Sequence, residues 1–286
     1  MRKLCSAQWN FRKVLLLLSL ILINSYLGLN GASSANNFAP NFMPKISIVT
    51  SVYNSDQFIE GFLANITQQT IFDQCELILI NANSPGKHEE AMILKYLKKY
   101  SNITYQRLAQ DPGIYGVWNL GIKQARGQYI TNANVDDRLL NNCYELHAQV
   151  LDNNPEIALV YSDFYTTIRP NAKIGRVSRY GITTKPEFIP ALIKHWCLPS
   201  FNPLWRKSAH EICGYFDEDF KIAGDYEMWI RMVSMGLKFK KCPGVLGIYY
   251  LNPDGLSTPN GKHTVQLDLE RSWISERHKA FLEQKD

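Results

Sequence analysis

"QYITNANVDDRL" (Gln128–Leu139) joins a short run of strand-forming residues to two adjacent carboxylates, Asp136 and Asp137. Like charges side by side repel, so the pair needs a reason. Three are open from these residues alone. Aspartates suit the positive end of a helix, they suit surface turns, and paired carboxylates suit a hard divalent cation. The fold turns on whether other strands of the chain also end in polar clusters.

They do. "KISIVTSVY" (Lys45–Tyr53) is a β-branched run of strand length, ended by Asn54-Ser55-Asp56, which suits a helix cap. Phe58, Ile59, Phe62 and Ile66 then share one helical face. "CELILINA" (Cys75–Ala82) is a continuous apolar run of the kind buried on both faces of a parallel sheet. A helix over Lys87–Tyr100 turns Ile93, Leu97 and Tyr100 inward. "ITYQRL" (Ile103–Leu108) leads to the turn "DPG" (Asp111–Gly113). Val117, Trp118, Gly121, Ile122 and Ala125 mark a further helix, and Gln128–Ala133 is the fourth strand. This alternation predicts an α/β fold with a mainly parallel sheet flanked by helices. Ligands of such sheets bind beyond the carboxyl ends of the strands. Tyr53-Asn54, Asn81, Asp111 and Asp136-Asp137 are therefore expected along one crevice.

Past residue 140 a helix (Asn141–Asn153) and the strand "IALVYSDFYT" (Ile157–Thr166) continue the sheet. An irregular, aromatic and proline-rich part follows. In it "WCLPSFNPLWR" (Trp196–Arg206) offers Trp196 and Trp205, either as sugar-stacking faces or as core. Tyr215–Gly236 holds a helix with Tyr226, Trp229, Ile230 and Val233 on one face and Asp225 at its start. "GVLGIYYLN" (Gly244–Asn252) is a late strand, and Thr264–Gln284 a charged helix. The divisions expected are a leader (1–44), a main domain (45–255, in halves 45–140 and 141–255) and a helical tail (256–286).

The net charge of +5 is concentrated in the first 44 residues, whose Arg2, Lys3, Arg12 and Lys13 face no acid. The rest is nearly neutral, which gives no electrostatic basis for a nucleic-acid partner. Those basic residues flank "VLLLLSLILI" (Val14–Ile23), short for a spanning helix and suited to a signal-peptide core. A cleaved signal, an uncleaved membrane anchor and a start at Met43 all stay open, the last giving a cytoplasmic product. The six cysteines form no C-x-x-C pair, which argues against structural zinc. Cys75 and Cys143 read as small hydrophobes. His88, His147, His210 and His263 share no spacing and read as surface or hydrogen-bonded side chains.

Four segments in order, "ISIVTSVYNS", "ELILINANSPG", "DPGIYGVWNLGIKQARGQYITNANVDD" and "GYFDEDFKIAGDYEMWIRMVSMG", resemble the family 2 glycosyltransferases of the GT-A fold, a Rossmann-like architecture. The likeness spans roughly residues 45–255. It implies an inverting transfer of a sugar from a nucleotide-sugar donor, usually a UDP-sugar, with Mn2+ or Mg2+. The acceptor would be a hydroxyl on a glycan or lipid-linked saccharide, as in cell-envelope polysaccharide biosynthesis. By resemblance, Asp136 and Asp137 match the metal-binding aspartate motif. Ser51, Tyr53, Asn54, Asn81, Asp111, Gly113, Asn119, Asn134 and Asp136 fall at donor-binding positions, and Asp225 is the general base. The chain departs from the family pattern at four places. Asn81 and Asn134 replace aspartates, Gly224 stands where a glutamate usually precedes the base, and Asn252 replaces a histidine after the late strand.

Two other functions compete. A nucleotidyltransferase also binds nucleotides through paired acids on an α/β sheet, but "SVYNSD" lacks its glycine-rich basic loop. A non-catalytic, exported carbohydrate-binding protein of the same fold would tolerate the four departures.

Overall fold

The computed structural model describes residues 42–173, 181–258 and 261–284. The expected leader lies outside them up to residue 41. Among the described residues no helix is long and apolar enough to cross a membrane.

The first half is built as the alternation predicts. Strands β1 (Ile46–Val52), β2 (Cys75–Asn81), β3 (Ile103–Arg107) and β4 (Tyr129–Asn132) are all parallel, in the order β3-β2-β1-β4. Helices α1 (Ile59–Ile66), α2 (His88–Lys99) and α3 (Ile114–Gln124) connect them. Period-2 alternation sorts each strand between two cores. Ile46, Ile48 and Val52 of β1, with Cys75, Leu77 and Leu79 of β2, pack with α1 and α2. Val49, Ile78 and Ile80 face the other way, onto α3. Burial on both faces is why β2 reads as an unbroken apolar run.

Two local expectations change. The cap motif after β1 does not cap its own helix, because α1 begins from Phe58 with no side-chain cap. Asp56 instead accepts the backbone N–H of Glu89 (2.9 Å) at the first turn of α2. The helix-start reading of the acid pair also fails. Asp136 and Asp137 lead into a two-residue strand, β5 (Arg138–Leu139), and helix α4 (Cys143–Asn153) begins only later.

The second half extends the same sheet with mixed pairing. Strands β6 (Ile157–Thr167), β7 (Gly181–Thr183), β8 (Leu204–Arg206) and β9 (Lys238–Tyr250) complete the order β3-β2-β1-β4-β8-β6-β9-β5, with β7 paired to β6. β6 runs parallel to β9, while β8 is antiparallel to both β4 and β6. β5 lies antiparallel to β9, pairing Arg138 with Ile248. That register brings the end of β9 to the acid pair. Short helices α5 (Pro190–Ile193) and α6 (Ala209–Cys213) interrupt the aromatic part, and α7 (Gly224–Ser234) follows. The tail forms two helices, α8 (Thr264–Arg277) and α9 (Lys279–Leu282), with Ile274 buried in the α3–α7 core.

The free cysteines Cys75 and Cys143 are fully buried as small hydrophobes. His210 is satisfied, accepting from the Trp205 indole at Nε2 (2.9 Å) with Nδ1 at the Gly214 carbonyl. His147 departs from expectation: it is fully buried and, among the described residues, neither ring nitrogen has a partner.

Candidate active site

Because β1 to β4 are parallel, the segments after them share one edge of the sheet. Tyr53 and Asn54 are exposed there, Asn54 with φ 48° and its N–H donating to Ser84 Oγ (2.9 Å). Ser51 is half-buried near the end of β1. Asp111 is exposed and accepts the N–H of Gly113 (2.8 Å). Gly113 precedes α3 with φ 81°, a backbone conformation that favours glycine. Lys221 Nζ lies close above it, 4.0 Å from where a Cβ would be.

Two residues expected to face the donor are turned inward. Asn81 is fully buried: Oδ1 accepts from the Ser84 N–H (2.8 Å), and Nδ2 is 3.4 Å from Glu89. Asn119 ties α3 to the segment before α7. Its amide donates to the Phe216 carbonyl and to Glu218 (both 2.8 Å) and accepts from the Phe216 N–H (3.0 Å). Both asparagines shape the crevice from behind.

The acid pair is held by β9. Asp137 is 5% exposed; Oδ1 accepts from the Tyr250 N–H (3.0 Å) and Oδ2 from the exposed Asn134 (3.2 Å). Asp136 Oδ2 accepts from Asn252 (3.0 Å). Asn252, which stands where the resemblance has a histidine, thus reaches the acid pair. Burial pushes both carboxyls above the usual range, and the Asp136 charge pushes Asp137 further. The Arg138 guanidinium offsets part of this, although its hydrogen bonds go to the Val135, Asp137 and Phe58 carbonyls and to Asn171. Beside Asp137 lies a cavity of about 20 Å³, lined by Asn132, Tyr144, Ser200 and Asn202 among others. Each of those four presents a polar atom without a partner among the described residues. The space is that of roughly one water molecule.

Among the described residues no three His, Cys, Asp or Glu side chains cluster to cage a metal. The donor set is two carboxylates flanked by carboxamides, all hard oxygen ligands. This fits Mg2+ or Mn2+, which protein sites often hold by one or two carboxylates, with substrate phosphates completing the shell.

Asp225 lies in the first turn of α7, but Ala223 is the N-cap and Asp225 caps nothing at that position. Its Oδ1 accepts the Tyr226 N–H (2.8 Å) and stands 3.4 Å from the Tyr115 hydroxyl, which itself donates to the Ile222 carbonyl (2.6 Å). A helix N-terminus favours ionisation, yet here burial wins and raises the carboxyl to about 6. The group is still mostly ionised at neutral pH. Gly224, in place of the expected glutamate, is set by packing: a Cβ would lie 2.8 Å from the Tyr115 ring.

Tyr249 feels the charge of both acid groups. Its phenol is raised to about 12, chiefly by burial, and Asp137, Asp136 and Asp225 all add to the rise. The three carboxylates therefore lie within electrostatic reach of one ring. The reading of "WCLPSFNPLWR" is divided: Trp205 is core (0% exposed), whereas Trp196 is 57% exposed. Sequence reasoning misses Tyr115, Tyr249 and Arg138. Only Arg138, directly after two acids, carried a signal that could have marked it.

The family model described as glycosyl transferase family 2 matches residues 47–213. A glycosyltransferase of Bacillus subtilis named EpsJ, itself uncharacterized, is 27% identical over 246 residues, covering 81% of this chain and 68% of EpsJ. The B. subtilis minor teichoic acid biosynthesis protein GgaB is 26% identical over 76% of this chain, which spans 24% of GgaB. The fold is similar to that of S. aureus TarS in complex with UDP (TM-score 0.60, 16% identity, 82% of this chain and 72% of that one). It is similar also to the mannosyltransferase PcManGT of Pyrobaculum calidifontis in complex with GDP-Man and Mn2+ (TM-score 0.59, 15% identity, 94% and 72%). With more than half its length matched and the sheet, helices and acid motif in that order, the chain belongs to glycosyl transferase family 2.

Proposed function

We propose that this glycosyltransferase moves a sugar, with inversion, from a UDP-sugar to a hydroxyl of a glycan or lipid-linked saccharide. The observation that carries the reading is the acid pair held by β9 at the strand-end edge, through the Tyr250 N–H and Asn252, with Asp225 beside Tyr115 in the first turn of α7. Asp225 takes the acceptor's proton as the acceptor oxygen bonds to the anomeric carbon, while the bond from that carbon to the diphosphate breaks. A base poised near 6 is ionised at neutral pH and still binds a proton usefully. Asp136 and Asp137 would hold Mn2+ or Mg2+, whose charge neutralises the departing diphosphate when bound. Asn134 and Asn252 orient the two carboxylates. Tyr53, Asn54, Asp111 and Gly113 line the donor side of the crevice, and the exposed Trp196 offers an aromatic face for an acceptor sugar.

The donor assignment follows TarS, whose structures hold UDP and UDP-GlcNAc. The acceptor class follows GgaB and the Pasteurella multocida chondroitin synthase, named for teichoic acid and for chondroitin. The basic, apolar N-terminus directs the chain to a membrane or through it.

Calorimetric titration of the purified protein with UDP, GDP and their sugars, with and without Mn2+, tests this reading. Asp136→Ala abolishes metal-dependent donor binding. Asp225→Asn binds donor but transfers no sugar, and full transfer by that variant would refute the assignment.

A further inference from the structure

Glu270 lies on α8, beyond the residues that the family model matches, and is 0% exposed. Its carboxylate accepts three successive backbone N–H groups: Lys221 at Oε1 (2.8 Å), then Ile222 and Ala223 at Oε2 (2.9 and 2.7 Å). Gln266, one turn earlier on α8, donates to Oε1 (2.8 Å). No cationic side chain pairs with it among the described residues. An unpaired buried carboxylate is costly unless hydrogen bonds to the charged form replace water. Converging N–H groups of consecutive residues provide such an anion-binding concavity.

Those N–H groups belong to the approach to α7. Ala223 is its N-cap, and α7 has no side-chain cap of its own. Asp225 follows two residues later. From the opposite side the Tyr115 hydroxyl holds the Ile222 carbonyl (2.6 Å), and the Tyr115 ring closes the space above Gly224. The segment 221–224 is thus clamped between α8 and α3.

We propose that Glu270 is the positioning residue for Asp225: the terminal helix completes the active site by fixing the backbone that aims the base at the acceptor hydroxyl. This rests on the reading of Asp225 as base. A hydroxyl or carboxamide cap on α7 would hold the helix equally well without a negative charge. The charge has a second effect. Tyr115 from α3, Cys197 from the segment before β8, Tyr249 from β9 and Glu270 from α8 lie within electrostatic reach of Asp225, and of these only Glu270 is a carboxylate. Its field adds to the burial that raises Asp225.

The test compares Glu270→Gln and Glu270→Asp with the wild type in the full chain. Donor affinity, kcat, the pH dependence of kcat/KM and the Tm are measured for each. Glu270→Gln, which turns an amide toward the three N–H groups, should lose at least tenfold in kcat with donor affinity within about twofold, and its acid limb should move to lower pH. Glu270→Asp keeps the charge but shortens the reach. It should regain part of kcat and leave the acid limb in place, and it serves as the readout where the glutamine variant does not fold. Unchanged kcat and acid limb in Glu270→Gln would overturn the proposal. So would a parallel fall of donor affinity, kcat and Tm in both variants, which marks a purely structural role. Asp225→Asn, assayed alongside, separates the two readings. Transfer retained there removes the base assignment; transfer lost there but kept in Glu270→Gln removes only the positioning role.

Discussion

Tyr115 and Gly224 compete for one volume: a Cβ on Gly224 would stand 2.8 Å from Tyr115 Cε2 and 2.9 Å from its Cζ. The glutamate that usually precedes the base in this family is therefore excluded by an aromatic ring from α3. Gly224→Ala should cost about 1–3 kcal/mol, as overpacking does in a filled core, and should lower kcat by displacing Asp225. Tyr115→Leu makes room for the methyl group. Chemical denaturation of both single variants and the double variant gives the coupling directly. A double variant less destabilised than the two singles together is expected, and strict additivity would show that the positions are independent.

Asp225 carries opposite consequences for activity and stability. With its carboxyl raised to about 6, transfer should rise through pH 6 and fall away below it. An unfolded aspartate keeps its ordinary value near 3.8, so the folded state binds the proton more tightly between those limits. The stability this contributes is present at low pH and is lost as pH rises through 6. Asp225→Asn removes the buried charge, and above pH 7 it should be more stable than wild type by roughly 1–2 kcal/mol, discounted for partial exposure. Differential scanning calorimetry at pH 5 and pH 8 checks the sign; a variant less stable at pH 8 contradicts it.

His147 gives the reverse dependence. Buried without a partner among the described residues, it is pushed down to about 3, from an ordinary value of 6.5. The unfolded chain takes up a proton below 6.5 that the folded chain refuses, so stability is lost as pH falls through that value, by up to about 1.4 kcal/mol per pH unit. His147→Leu, of similar size and apolar, should flatten the stability profile between pH 4 and pH 6. Urea midpoints across that range measure it, and an unchanged slope would mean that His147 finds a partner in solution.

The sequence shows most clearly what repeats locally. β1, β2 and β4 are legible because their apolar side chains fill both cores, β3 because Ile103 and Tyr105 alternate toward one of them, and the acid pair is legible because it follows such a strand. β9 is legible only from Gly244 onward, since Lys238, Lys240 and Lys241 interrupt its apolar pattern and Pro243-Gly244 reads as a break. In the fold that break coincides with register shifts against β6. Asn81 and Asn119 match donor positions by motif, yet their amides are consumed by loop and helix contacts that no spacing reveals. Glu270 and Tyr115 act from 47 and 107 residues away in sequence, through bonds to backbone, and backbone partners leave no pattern in a sequence.

Asn134 is the remaining departure, and its geometry explains it. Its amide donates to Asp137 Oδ2 at 3.2 Å, where an aspartate would bring a third negative charge against a pair already raised by burial, Asp137 further by the Asp136 charge. Asn134→Asp should therefore destabilise the metal-free protein by about 1 kcal/mol, a loss reduced by salt because residue 134 is exposed. A bound dication reverses the balance, since a third carboxylate adds attraction for it. The variant should accordingly bind Mn2+ more tightly, and Mn2+ should raise its Tm by more than it raises that of the wild type. Asp137→Asn is the complementary change. It keeps an acceptor for the Tyr250 N–H and removes the repulsion, so it should be at least as stable as wild type while responding to Mn2+ less. Thermal shifts over a Mn2+ titration compare the three proteins. Equal shifts in all of them would place the metal, if one binds, away from these carboxylates.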